Sequence, residues 1–141
     1  SPLNTTREGE VQIFNTSNAQ VKNGPVNFVY QNGVYRGTVE MTGLAAGTYY
    51  VKVKLDNTLL KQLPQVYNLK AGTNTLPTVA LVPGDLNQDN QLTMQDHSLF
   101  VSCYGTKDCN MKDSADFNDD GQVSGIDYSI LIRSFAIREG D

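Results

Sequence analysis

Two stretches of this 141-residue chain, GDLNQDNQLTMQDHSLFVSCYG (84–105) and ADFNDDGQVSGIDYSILIRSFA (115–136), superpose at an offset of 31 residues. The identities are Asp85/Asp116, Asn87/Asn118, Asp89/Asp120, Gln91/Gln122, Asp96/Asp127 and Ser98/Ser129. Counted from Asp85 and from Asp116, five of these six stand at positions 1, 3, 5, 7 and 12. A merely solvated acidic turn has no reason to obey such spacing once, and less reason to repeat it. Within each stretch the spaced residues lead into an apolar helical run, MQDHSLFVSCYG and GIDYSILIRSFA, so the fold has to build two loop-helix units here.

The spacing is that of a cation-binding loop. Calcium takes six to eight oxygen ligands, and a twelve-residue EF-hand loop supplies them from positions 1, 3, 5, 7, 9 and 12. The first candidate set is Asp85, Asn87, Asp89, Gln91 and Asp96; the second is Asp116, Asn118, Asp120, Gln122 and Asp127. Gln91 and Gln122 would ligate through their backbone carbonyls, and Thr93 and Ser124 at position 9 suit a water-mediated contact. Asp96 and Asp127 stand where Glu is commoner, and their shorter arm draws the following helix closer to the ion. Position 6 demands a sharp turn, which Gly121 makes at no steric cost and for which Asn90 is the next most tolerant residue. Two Ca2+ ions are expected, the first loop being the weaker site. Magnesium, with its tighter octahedron and retained waters, suits the loops less well. Leu92 and Val123, apolar at position 8 in both copies, are placed to pair the two loops as a short ladder.

Charge divides the chain at the same place. Residues 84–141 carry eleven acidic against four basic side chains, or −7, while residues 1–83 carry four against seven, or +3. This asymmetry predicts two domains, 1–83 and 84–141, with different tasks. An acidic half is unsuited to nucleic acid, whose binding rests on neutralised phosphates. No stretch approaches the ~20 apolar residues that a membrane span needs. The opening SPLNTTREGE has neither the basic nor the apolar region of a secretory leader, as expected of a mature product or a fragment.

Residues 10–82 read as strands. VQIFN, PVNFVYQ, VYRGTVEM, TYYVKVKL, QVYNL and LPTVALV are rich in Val, Tyr, Thr and Phe. Tyr49, Val51, Val53 and Leu55 alternate with Tyr50, Lys52 and Lys54, as a half-buried strand requires. Turn signals (KNGP, QNG, LAAG, LDN, KAGTN) separate the runs. Short strands at regular intervals predict an antiparallel β-sandwich. Pro83 closes this region, and so short a join predicts two modules packed together or held at a fixed angle.

Cys103 and Cys109 are six residues apart in the acidic half. In a secreted chain they would close a short loop worth roughly 2 kcal/mol; in a reducing compartment they would be free thiols. A zinc site is one ligand short, because His97 is the only histidine. The 58 residues of the second half are few for a self-sufficient core, so two ions and a Cys103–Cys109 bridge are the expected staples.

Both loops lack the entering helix of a calmodulin-like hand: strand and proline precede the first, and KDCNMKDSA precedes the second. Two loop-helix units of this kind, with Asp at position 12, resemble the type I-like dockerin domain of bacterial extracellular assemblies, over residues 84–141. The resemblance implies a small α module that folds with calcium and presents its two helices to a cohesin-like partner. Carried over position by position, it implies partner contacts at Met94, Gln95, Val101 and Ser102 in the first copy. In the second they are Gly125, Ile126, Ile132 and Arg133. The chain departs from the Ser-Thr type of contact pair, and its two copies differ from each other. A structural reading of Val101 and Ile132, as helix core, stands beside the partner reading. In the first half, MTGLAAGTYYVKVKL resembles the Gly-x-Tyr turn-and-strand of carboxypeptidase-regulatory-like and collagen-adhesin B-type sandwiches, which implies an immunoglobulin-like architecture.

Catalysis is not expected: no Ser or Cys has an evident base partner, and His97 directly follows a candidate calcium ligand. The sequence predicts a two-domain extracellular or cell-surface adaptor, a sandwich followed by a dockerin-like module. The alternative is a subunit that assembles with copies of itself into a filament. In that case SPLNTTREGE would be tied down by a neighbour, for example as a strand added to an open sheet edge.

Overall fold

The computed structural model describes residues 3–40, 42–70, 74–105, 109 and 111–141. Met41, at the end of VYRGTVEM, and the middle of the KAGTN turn lie outside them. The first half forms an antiparallel sheet of β1 (Thr6–Asn15), β2 (Gln20–Gln31), β3 (Val34–Arg36), β4 (Gly47–Leu55), β5 (Lys61–Gln62) and β6 (Tyr67–Leu69). The order is β3-β2-β1-β4-β5, and β6 shares the outer edge of β4 with β5. β5 faces Lys52 and Val53, whereas β6 faces Gly47 to Tyr49.

Local chemistry explains the turns. Between β1 and β2, Asn15 Oδ1 accepts the N–H groups of Ser17 and Ala19, each at 3.0 Å. Between β2 and β3, Tyr30 pairs with Tyr35 and Gln31 with Val34. This leaves Asn32 and Gly33 at φ 50° and 90°, the left-handed pair that a tight hairpin requires. Period-two burial is clearest in β2, where Val26 and Phe28 are buried between exposed Pro25, Asn27 and Val29. Pro25 has no N–H to give a ladder, and it lies on the strand whose outer edge is open from Gln20 to Phe28 among the described residues.

Every described strand belongs to one sheet, so the expected sandwich is met only as far as its antiparallel ladder. VYRGTVEM leaves the ladder after Arg36, and LPTVALV (76–82) forms none. The layer facing the sheet is made of chain without regular structure: Val39, Leu44 and Leu76 pack on Ile13, Tyr49 and Leu69. A Cβ at Gly37 would collide with Val26 and the Phe28 ring, so the chain leaving β3 crosses that face too closely for a side chain. β1 also begins earlier than VQIFN. Thr6 to Glu10 are internal strand paired with Pro25 to Val29, not a lead awaiting a neighbour.

The second half contains α1 (Met94–Cys103), α2 (Lys112–Ala115) and α3 (Gly125–Ser134). α2 is a single turn ahead of the second loop that the sequence did not predict. Leu86, Phe100, Cys103, Ala115, Val123 and Leu131 form the core, with Phe117 stacked on Phe100 at 5.8 Å between centroids. Cys103 and Cys109 are joined as a disulfide, with Cα atoms 5.1 Å apart. Hydrogen bonds tie this region to the sheet. Buried Asn57, after β4, accepts Gly84 N–H at 2.9 Å through its carbonyl and donates its side-chain amide to the Ser114 carbonyl, also at 2.9 Å.

Candidate metal centres

The two loops repeat not only their residues but their hydrogen bonds. In the first, Asp85 Oδ1 accepts Asp89 N–H at 3.1 Å and Oδ2 accepts Asn90 N–H at 2.9 Å. In the second, Asp116 accepts Asp120 N–H at 3.2 Å and Gly121 N–H at 2.7 Å. Asn90 and Gly121 have φ 64° and 91°, as position 6 demands. Position 4 is left-handed as well, with Gln88 at 60° and Asp119 at 58°. Each loop thereby curls around its first aspartate.

The last aspartate closes each loop onto its helix. Asp96 Oδ1 accepts Leu86 N–H at 2.9 Å, and its Oδ2 accepts Thr93 N–H at 2.9 Å. Asp127 accepts Asn118 N–H at 3.1 Å, the counterpart of the Asn87 N–H that Asp96 also accepts at 3.2 Å, and Ser124 N–H at 2.9 Å. Thr93 and Ser124 are the N-caps of α1 and α3, and Asp96 and Asp127 complete capping boxes at N3. Position 9 therefore caps a helix, and position 12 serves the helix start and the loop interior at once.

Asp85, Asp89 and Asp96 each turn a carboxylate oxygen into a cluster no wider than 4.8 Å, and Asp116, Asp120 and Asp127 form a second cluster of the same size. Asp85, Asp96, Asp116 and Asp127 are buried, while Asp89 and Asp120 open to solvent. Burial raises the pKa of Asp85. The Asn90 N–H and the Lys54 ammonium oppose that rise, and Asp96 adds to it. Burial raises Asp116 too, against the Gly121 and Asp120 N–H groups and with the help of Asp127 and Asp120. Asn87 Oδ1, at position 3, is buried and has no hydrogen-bond donor. A donorless buried oxygen beside three converging carboxylates is an environment that a hard divalent cation satisfies. The residues present fit calcium, and its charge would relieve the repulsion that the carboxylates otherwise carry.

The expected ladder between the loops is replaced by another pairing. Leu92 N–H donates to the Arg138 carbonyl, and the Val123 carbonyl accepts Gly105 N–H at 3.3 Å. Each loop thus pairs with the chain leaving the other loop's helix. Among the described residues, Leu92 and Val123 do not pair with each other.

Sequence reasoning missed the residues that anchor the loops from outside. Asp119 accepts Asn4 N–H at 2.7 Å and the Asn4 side-chain amide at 2.9 Å, and it lies 3.7 Å from the Arg7 guanidinium. Asn90 Oδ1 accepts Leu60 N–H at 2.8 Å, and the Asn90 carbonyl accepts Gly140 N–H at 3.0 Å. Lys54 reaches Asp85. These partners are far apart in sequence, and no periodicity announces them.

All eight positions carried over from the dockerin resemblance are exposed. Met94, Val101, Ile126 and Ile132 keep 69%, 50%, 58% and 46% of their surface in solvent, so Val101 and Ile132 are not helix core. Gln95 also accepts the Asn87 side-chain amide at 2.8 Å. Exposed Tyr104 and Tyr128 continue the apolar surface beside Val101.

Fold and site together define a paired loop-helix module with two acidic, cation-suited centres, joined to an antiparallel sheet. Residues 83–136 match the family model of the dockerin type I domain. Dockerin domains are non-catalytic modules that bind calcium and assemble with cohesins, typically in secreted or cell-surface proteins. No curated protein matches the chain. Among the described residues no helix is long and apolar enough to cross a membrane.

Proposed function

We propose that this chain is a non-catalytic, extracellular or cell-surface adaptor whose residues 84–141 bind two Ca2+ ions and dock a cohesin-like protein. Residues 1–83 serve as the spacer from which the docking module is presented. The observation that carries the reading is the twofold ligand cluster, Asp85/Asp89/Asp96 and Asp116/Asp120/Asp127, in which the first and last aspartates of each loop accept corresponding backbone N–H groups. Asn87, Asn118 and the carbonyls of Gln91 and Gln122 complete the sets, with Thr93 and Ser124 reserved for capping or a bridging water. The partner face is the exposed row Met94, Val101, Ile126 and Ile132 with its polar neighbours.

Self-assembly into a filament has less support. The Thr6–Glu10 segment is already paired within its own sheet, and the open edge of β2 carries Lys22 and Pro25, residues that discourage edge-to-edge pairing. Calorimetry of the intact chain should find two calcium sites per molecule. Chelation should lower the temperature at which the helices melt and abolish capture of a cohesin-type partner once they have melted. Partner binding that persists in EDTA after the helices have melted would overturn the proposal.

A further inference from the structure

We infer that Lys54 is a built-in counter-cation of the first loop and makes the two loops fill in order, the second before the first. The inference rests on the calcium reading above. Lys54 belongs to β4, outside the repeat, yet its Nζ lies 3.9 Å from Asp85 Oδ2, with 13% of its side chain exposed and none of Asp85's. Asp116, the equivalent of Asp85, has no such partner among the described residues. The nearby Arg7 pairs instead with Asp119, at a non-ligating position.

With Arg7 balanced by the additional carboxylate of Asp119, the two loops present the same oxygens but differ by one unit of net charge. An ion entering the second loop meets three carboxylates; an ion entering the first meets three carboxylates and an ammonium. The backbone of Lys54 is fixed beside the loop, because Val53 and Leu55 on either side are paired with Val11 and Gly9. Glu10 stands opposite on β1, yet among the described residues the ammonium pairs with Asp85 and not with Glu10. A unit charge a few ångströms from a divalent ion, at the effective dielectric of a partly buried site, weakens binding by about tenfold or more.

The test is a calcium titration of the full chain followed by NMR at the backbone amides of Asn90 and Gly121. These donate to Asp85 Oδ2 at 2.9 Å and to Asp116 Oδ2 at 2.7 Å, so each reports its own loop. In the unaltered chain Gly121 should saturate first. Lys54→Met, with Lys54→Gln as the second variant, should lower the Asn90 midpoint by about tenfold or more and leave Gly121 unmoved. Lys54→Arg should preserve the order. The left-handed backbone at Asn90 is the same in all of these, so its cost cannot imitate the result. If the Asn90 midpoint stays where it was in Lys54→Met and Lys54→Gln, the inference falls while the calcium reading stands. If neither amide responds to calcium, both fall.

Discussion

Asn4 grips Asp119 at both carboxylate oxygens, its backbone N–H on Oδ2 at 2.7 Å and its side-chain amide on Oδ1 at 2.9 Å. Asp119 sits between the candidate ligands Asn118 and Asp120, so the segment leading into β1 is fastened to the rim of the second loop. Asn4→Ala keeps the backbone bond and removes the other. We expect a loss of about 1.5–3 kcal/mol in denaturant unfolding, the usual worth of a hydrogen bond to a charged group. Because Asp119 moves with its loop, hydrogen exchange at the Asn4 amide should accelerate in EDTA. An Asn4 amide that exchanges equally with and without calcium would show that the sheet does not feel the ion.

Asp127 carries two duties that one substitution separates. Asp127→Ala should eliminate the second calcium site in calorimetry while the first still binds. In EDTA it should also destabilise α3 by about 1 kcal/mol, because the Ser124 cap loses its reciprocal partner. A variant that loses calcium with no change in metal-free stability would mean that the capping box contributes nothing.

Acid should weaken the calcium effect. Burial raises the pKa of Asp85 and Asp116, so in the metal-free chain protonation of these groups favours the folded state. Their contribution is fully present below the ordinary carboxylate pKa, near 4, and is lost as the pH rises through the raised folded value. Calcium needs the ionised forms. The calcium-induced rise in melting temperature should therefore be smallest at about pH 4 and grow toward neutrality. Paired melting curves in calcium and in EDTA across that range check it, and a calcium shift independent of pH would refute it.

The exposed apolar row should matter to a partner and to little else. Ile132→Asp and Val101→Asp change residues that are about half exposed. Stability should stay within about 0.5 kcal/mol of the unaltered chain, while partner capture is lost. Thermal melts beside pull-downs on the same samples separate the two effects.

Reducing the Cys103–Cys109 bridge frees a loop closed over six residues. The expected cost is about 2 kcal/mol, read as a lower denaturant midpoint after reduction and alkylation. Without reductant, no thiol should react.

The loops were legible because their ligand spacing is local: Asp85 to Asp96 lie within one turn of chain, and chemistry fixes every offset. The starts of α1 and α3 were legible for the same reason. The anchors Asn4, Arg7, Lys54 and Asn90 were not, since each acts on a partner at least 30 residues away in sequence. Asn90 is instructive, because its tolerance of a positive φ could be read in advance but its bond to Leu60 could not. Alternation along β4 told which face is turned inward without telling what covers it. The single sheet with an irregular facing layer was therefore hidden, and so was α2, too short to show a period.

The exchange between Leu92 and Arg138, and between Val123 and Gly105, gives the repeat the logic of an internal dimer. Each copy lends the stretch after its helix to the other copy's loop, so neither copy alone can satisfy its own backbone. A lone 31-residue unit would have to find a second molecule to supply what its sister provides here. Duplication in this chain is the condition under which the unit is complete, more than a doubling of binding capacity.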